Sequence, residues 1–203
     1  ISSIEPNLLT DEIIRFIAES KKFLPHFHIP LQSGSDTILR AMRRRYRTDL
    51  FAQRIKRIKS LLPDAGIGVD VIVGFPGESD NYFQQTCDFL ETMDVSYLHV
   101  FSYSERDHTD AINISPKVRP EAIIERSQML HSLSREKTNK FYQQNMGSIR
   151  EVLIESCEEG FLSGLTENYI RVQTAGKPEE VNTIIPLQMR YIHGDEIIGH
   201  RID

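Results

Sequence analysis

The chain has 203 residues, of which 39% are apolar and 26% charged, enough for one large globular domain or two modest ones. That balance excludes a disordered chain, and no apolar run nears the roughly 18 residues that a membrane helix needs. The net charge of −5 is uneven: residues 1–146 carry 19 Lys and Arg against 19 Asp and Glu, residues 147–203 carry 5 against 10, so the tail is a separate acidic unit.

Thr10 is a fitting N-cap for a helix through TDEIIRFIAES, where Ile13, Ile14 and Ile17 recur at helical spacing. HFHIPLQ predicts a short strand, followed by Gly34 and by Ser35 or Asp36 as cap of a helix striped by Ile38, Leu39, Met42 and Tyr46. After Thr48 a further helix carries Phe51, Ile55, Ile58 and Leu62 and stops at Pro63 and Gly66, before the β-branched strand IGVDVIV. The turn GFPGES leads into a helix through DNYFQQTCDFLETM, and YLHVFSY is the next strand. Pro120 and Gly147 then bracket a long helix. This alternation implies an α/β unit over residues 1–146, a parallel sheet covered by helices. From Gly147 to residue 203 the short runs IREVLIE, ENYIRVQ, VNTIIPLQM and EIIGHRI predict a small antiparallel, all-β barrel.

In such sheets ligands bind beyond the carboxyl ends of parallel strands. Four ends are polar or glycine-rich here: residues 2–6, 32–35, 74–78 and 102–106. One shared ligand would explain all four, although any single loop of this kind is more often an ordinary turn. Asp70 interrupts an apolar strand and needs a partner, either a ligand hydroxyl or a neighbouring Arg or backbone N–H. Nine basic side chains stand between residues 36 and 59 against Asp36 and Asp49. On a continuous helix Arg40, Arg43, Arg44 and Arg47 form one stripe, in most proteins a solvated face, though an arginine can also clamp a carboxylate or phosphate. GFPGES lacks the Lys and Ser/Thr of a phosphate-binding loop. His26 and His28 alternate on one strand with no third ligand at useful spacing, so no metal is assigned to them. Cys87 reads as a small buried thiol. With only Cys87 and Cys157, and no leader-like start in ISSIEPNLLT, a reducing, cytoplasmic setting is expected.

HIPLQSGSDTILRAMRRRY, GVDVIVGFPGE and YLHVFSYSER together resemble the radical S-adenosylmethionine (radical SAM) methylthiotransferases that modify tRNA. ISSIEPNLLTDEII looks most like the branch acting on threonylcarbamoyladenosine, and the stretch from GSIREVLIE onward is similar to the TRAM domain of those enzymes. The resemblance implies a partial TIM-like radical SAM barrel. There, S-adenosylmethionine is cleaved to a radical that abstracts hydrogen from an adenine carbon, C2, beside the anticodon, and sulfur and a methyl group are installed. By motif, Gln32 and Asp70 match groups that hold the ribose hydroxyls, and Arg44 matches the partner of the methionyl carboxylate. Val73, Gly74 and Phe75, with Val100 to Ser102, would line the adenine side. Ser33 and Arg106, and in the tail Tyr169 and Arg171 with Arg150 and Arg190, are candidates for tRNA contacts.

The CxxxCxxC that would hold the catalytic four-iron four-sulfur cluster is absent from the sequence. The expectation is therefore a C-terminal portion of a longer enzyme with two such clusters elsewhere, a missing N-terminal half as partner, and no turnover by this chain alone. The missing strands would leave a parallel edge exposed near Ile1 and HFHIPLQ, prone to self-association. Asp107-His108 stands where the family usually has Pro-Gly before Thr109. No motif identifies the sulfur donor. The alternatives are a methylthiotransferase acting on isopentenyladenosine or on a ribosomal protein, a non-catalytic RNA-binding module, and an unrelated TIM-like enzyme with an anion site.

Overall fold

In the computed structural model, which describes residues 1–202, the first half alternates helix and strand: α1 (Asp11–Glu19), β1 (His26–His28), α2 (Asp36–Ala41), α3 (Thr48–Leu61), β2 (Gly66–Val73), α4 (Asp80–Thr92), β3 (Tyr97–Ser102) and α5 (Pro120–Asn145). Asp203, the last residue of the expected second unit, lies outside the described residues. Thr10 caps α1 as its spacing implies, with Oγ1 accepting from Ile13 N–H at 3.3 Å. The strands form one parallel sheet in the order β1-β2-β3.

Alternation gives this sheet two unlike faces. Phe27, Ile29 and Leu31, then Ile67, Val69, Val71 and Val73, and finally Leu98, join the core beneath α1, α3, α4 and α5. Full burial of each such side chain contributes about 1.5–3 kcal/mol. The opposite face carries His26, His28, Asp70, Ile72, Tyr97, His99 and Phe101, and no helix among the described residues packs over it. Ile1 lies along β1, its N–H donating to His26 O and its carbonyl accepting from His28 N–H. The edge expected to be bare is thus covered over part of its length.

Two local expectations are corrected. The helix expected to run through Tyr46 stops at Ala41, because Arg43 turns into the left-handed region at φ 58° and the chain hooks back, Arg44 N–H donating to Leu39 O at 2.9 Å. The arginine stripe therefore does not exist: Arg43 pairs with Asp110, Arg44 with Glu5 and Arg47 with Asp36. Tyr46 is instead an anchor whose hydroxyl lies 3.0 and 3.1 Å from the Pro30 and Leu31 carbonyls.

The second half is a closed barrel of β4 (Ile149–Glu158), β5 (Phe161–Thr166), β6 (Arg171–Ala175), β7 (Ile184–His193) and β8 (Glu196–Arg201), in the cyclic order β4-β5-β6-β8-β7. FLSGLT is a strand the sequence reading passed over, whereas Glu167 to Tyr169 of ENYIRVQ form the turn after it. The barrel is also not wholly antiparallel, since β6 and β8 pair in parallel to close it. Its core, Val152, Ile154, Leu162, Ile170, Val172, Leu187, Met189 and Ile197, is completed by Phe141 and Tyr142 from the end of α5.

Because α5 places Leu130 in one core and Phe141 in the other, the two halves share one rod. Their seam is dense. Arg150 donates to Asp64 Oδ2 at 2.8 Å and to Glu167 Oε1 at 3.0 Å, and Asn168 Nδ2 donates to the Asp64 carbonyl at 2.8 Å. Tyr169 stacks on His26 with ring centroids 3.8 Å apart. Gly66 permits this approach: a Cβ there would sit 2.3 Å from Asn168 O.

Candidate cofactor-binding cavity

Beyond the carboxyl ends of the strands the uncovered face opens into a cavity of about 430 Å³ whose wall includes Gln32, Arg44, Asp70, Ser102 and Arg106. It adjoins a second, of about 390 Å³, that shares Arg44, Ile72 and Tyr103 and adds Phe75. Asp70 belongs here by register: every second residue of β2 faces away from the helices, and Asp70 is one of them. Gln32 reaches the wall through a distortion. Leu31 and Gln32 both donate their N–H to the Asp70 carbonyl, at 3.1 and 2.8 Å, and Gln32 has φ 71°, an extra residue in the ladder of the kind that re-aims side chains beside functional sites.

Arg44 is delivered by the hook after α2, which Tyr46 pins to the end of β1. Its Nη1 donates to Glu5 Oε1 at 2.8 Å, so the first strand end does meet the second. Its Nε is buried without a partner among the described residues. A guanidinium with one face occupied and another donor unsatisfied is suited to a second carboxylate. Asp70 has a partner already, His28, whose Nε2 lies 2.6 Å from Oδ1. This is neither the ligand hydroxyl nor the arginine weighed from the sequence, and it leaves Oδ2 available.

Several expected residues are placed elsewhere. Val73 is fully buried in the helix-side core, and Val100 packs against that core. Gly74 faces α5, where a Cβ would meet Ile123 Cγ1 at 2.5 Å. Ser33 is fully buried, its Oγ 3.3 Å from Thr86 Oγ1 and accepting from Ser35 N–H. All four are turned from the cavity by strand parity or by the packing of α4 and α5. GFPGES is a braced turn: Glu78 Oε2 accepts from Gly74 N–H and from Arg126 Nη1, both at 2.8 Å, and Arg126 Nη2 reaches Asp80. Burial pushes the Glu78 carboxyl above its ordinary range, and those two donors pull the other way. Phe75 does reach the neighbouring cavity, edge-on to Tyr103 at 5.3 Å. His108 has φ 62°, a conformation that glycine adopts freely.

In the barrel, Arg171 and Arg190 are exposed, whereas Arg150 is ion-paired in the seam and Tyr169 is stacked there. Cys87 is buried, its thiol pushed up to about 11, and is no nucleophile. A further cavity, about 650 Å³, lies on the barrel among Phe161, Tyr191, His193 and Arg201 and contains none of the expected cofactor residues. The polar groups named from the sequence converge instead at the strand ends. Glu5 and Tyr103 come from strand ends that the sequence singles out, whereas Ile72 on the wall, and His28 and His99 close to Asp70 on the adjacent strands, are unforeseen.

A helix-backed parallel sheet with its polar groups gathered at the carboxyl ends defines an α/β protein, and residues 2–90 match the Radical SAM superfamily. The solved structure of coproporphyrinogen III oxidase (HemN) from Escherichia coli, a radical SAM enzyme, superposes with a TM-score of 0.56 at 10% identity, over 81% of this chain and 45% of that one. That likeness is one of fold. The chain is 37% identical, over 93% of its length, to the threonylcarbamoyladenosine tRNA methylthiotransferase MtaB of Bacillus subtilis, of which it covers 43%. It is 38% identical to the MtaB of Aquifex aeolicus, over 88% of this chain and 43% of that protein. It is also 32% identical to a tRNA-2-methylthio-N(6)-dimethylallyladenosine synthase from Syntrophotalea carbinolica, over 97% of this chain and 46% of that protein. Residues 2–90 thus carry a Radical SAM match, the chain is similar along most of its length to these tRNA-modifying proteins, and it spans less than half the length of these relatives. No helix among the described residues is long and apolar enough to cross a membrane.

Proposed function

We propose that this chain cradles S-adenosylmethionine for a methylthiotransferase that modifies threonylcarbamoyladenosine in tRNA. The observation that carries the reading is the unsatisfied Arg44 Nε on the wall that also holds Gln32 and Asp70. Arg44 takes the methionyl carboxylate. Asp70, through Oδ2, and Gln32 take the ribose hydroxyls, while Phe75 and Ser102 flank the adenine. When bound, S-adenosylmethionine supplies the radical and the methyl group. The two cysteines of this chain lie apart, Cys87 inside α4 and Cys157 on β4, so the thiolates for the iron–sulfur clusters come from other residues and these 203 residues alone do not turn over.

In this reading residues 1–146 are a portion of the radical SAM partial barrel and residues 147–203 a TRAM-like barrel. The tRNA is met by Arg106 at the cavity rim and by Arg171 and Arg190 on the barrel. Two measurements test the proposal. Calorimetric titration with S-adenosylmethionine should show binding to this chain, weakened at least about tenfold by Arg44→Ala with unchanged melting; equal binding by the variant defeats the cradle. Nucleoside mass spectrometry of tRNA from cells lacking the gene should show loss of the methylthio group from threonylcarbamoyladenosine. Loss from isopentenyladenosine instead moves the substrate, and an unchanged profile with no second copy present removes tRNA from the reading.

A further inference from the structure

The uncovered face of the sheet brings together three side chains, one from each strand: His28 of β1, Asp70 of β2 and His99 of β3. Asp70 and His99 are register partners on adjacent strands, and His28 reaches across to the same carboxylate. One ligand atom from each lies within 4.8 Å of the others. We infer that they form a mononuclear site for a divalent first-row transition ion of borderline hardness, such as zinc or cobalt, a site that goes beyond the cofactor reading above.

Four features support it. Two imidazoles and one carboxylate on a single face supply three protein donors and leave positions open toward the cavity that Asp70 also lines. Tetrahedral donors sit about 2.0–2.2 Å from zinc, and so roughly 3.4 Å from one another. The His28–Asp70 contact of 2.6 Å then opens slightly as His99 swings in, a movement its exposed side chain permits. The remaining nitrogen of His28, Nδ1, lies 3.3 Å from Ser3 Oγ, the outer contact that orients a ligating imidazole so that Nε2 faces the ion. His99 stands edge-on to His28 at 5.2 Å and to Tyr97 at 5.1 Å, on the same face as Asp70. No cysteine takes part: Cys87 lies in the core on the other side of the sheet and Cys157 on the barrel, so the donor set is nitrogen and oxygen, unlike that of a cluster.

The test is titration of the chelator-treated chain with cobalt(II). One equivalent should produce ligand-field bands without thiolate charge transfer. His99→Ala, at an exposed position, should abolish them while leaving the far-ultraviolet circular dichroism intact. Ser3→Ala should weaken binding about tenfold, the size of an outer-contact loss. Arg44→Ala should leave the metal bound while weakening S-adenosylmethionine, which separates failure here from failure of the cofactor reading. Absence of the bands, their persistence in His99→Ala, or a thiolate charge-transfer band would overturn the site and leave His28–Asp70 a plain hydrogen bond.

Discussion

The two β structures of this chain solve the same problem differently. The barrel closes on itself, so each strand has an inside and an outside, and the inward residues simply fill it: Val152, Ile154, Leu162, Leu187 and Ile197 are buried to 1% exposure or less. The three-stranded sheet never closes. Its helix side is buried like the barrel core, but its other side carries the half-buried His28 and Asp70 and the exposed His99 and Phe101. An unclosed sheet face retains polar residues that a closed core would exclude, and there they are free to bind.

The sharpest break of this contrast lies at the turn that ends β2. Arg126→Ala would strand Glu78, 3% exposed, without its cation, and should lower unfolding free energy in urea by about 3–5 kcal/mol. Next come neighbours on opposite faces of β2. Ile67→Ala, on the packed side, should cost about 2–5 kcal/mol, whereas Asp70→Asn, on the open side, should change stability little and act on ligand affinity. Equal destabilisation by the two would erase the distinction between the faces.

The seam tests whether sheet and barrel behave as one body. Gly66→Ala forces a Cβ against Asn168 O and should cost about 1–3 kcal/mol, while speeding exchange of the Tyr169 and Ile170 amides in the turn that this contact holds. A variant with unaltered exchange would mean that the barrel is held by α5 alone.

What was legible in the sequence follows the same division. Helices with a cap and an apolar stripe, such as that capped by Thr10, and strands with a β-branched run, such as IGVDVIV, report themselves locally. The long motifs also drew attention to Gln32, Arg44 and Asp70, which share one cavity wall. The hook at Arg43 was not legible, because a non-glycine residue in the left-handed region gives no compositional sign, and the arginine stripe failed with it. Ser33, Val73 and Gly74 sit in the same motifs as Gln32 and Phe75, yet motif membership says nothing about parity. FLSGLT was missed because its glycine disguises a strand whose Gly164 must pass close to the Leu153 carbonyl. His28 and His99 were invisible as partners of Asp70, since only inter-strand register brings residues 42 and 29 positions away in sequence to one carboxylate.

The smallest effect concerns pH, and it arises where the barrel covers the open face. His26 lies beneath Tyr169 and 2.7 Å from the Tyr97 hydroxyl, with His28 and His99 nearby. Burial first, then those neighbouring positive charges, lower its pKa from 6.5 to about 4. The unfolded chain therefore takes up a proton at a higher pH than the native one, so stability is full above 6.5 and is lost as pH falls toward 4. From pH 7 to pH 5.5 the loss should be about 1 kcal/mol, read as a shift in the urea midpoint. His26→Phe should remove that part of the slope and leave the carboxylate-driven loss at lower pH. If the slope between pH 7 and 5.5 is the same in both proteins, the barrel does not keep His26 dry, and the closed half of the molecule has no hold on the open one at this point.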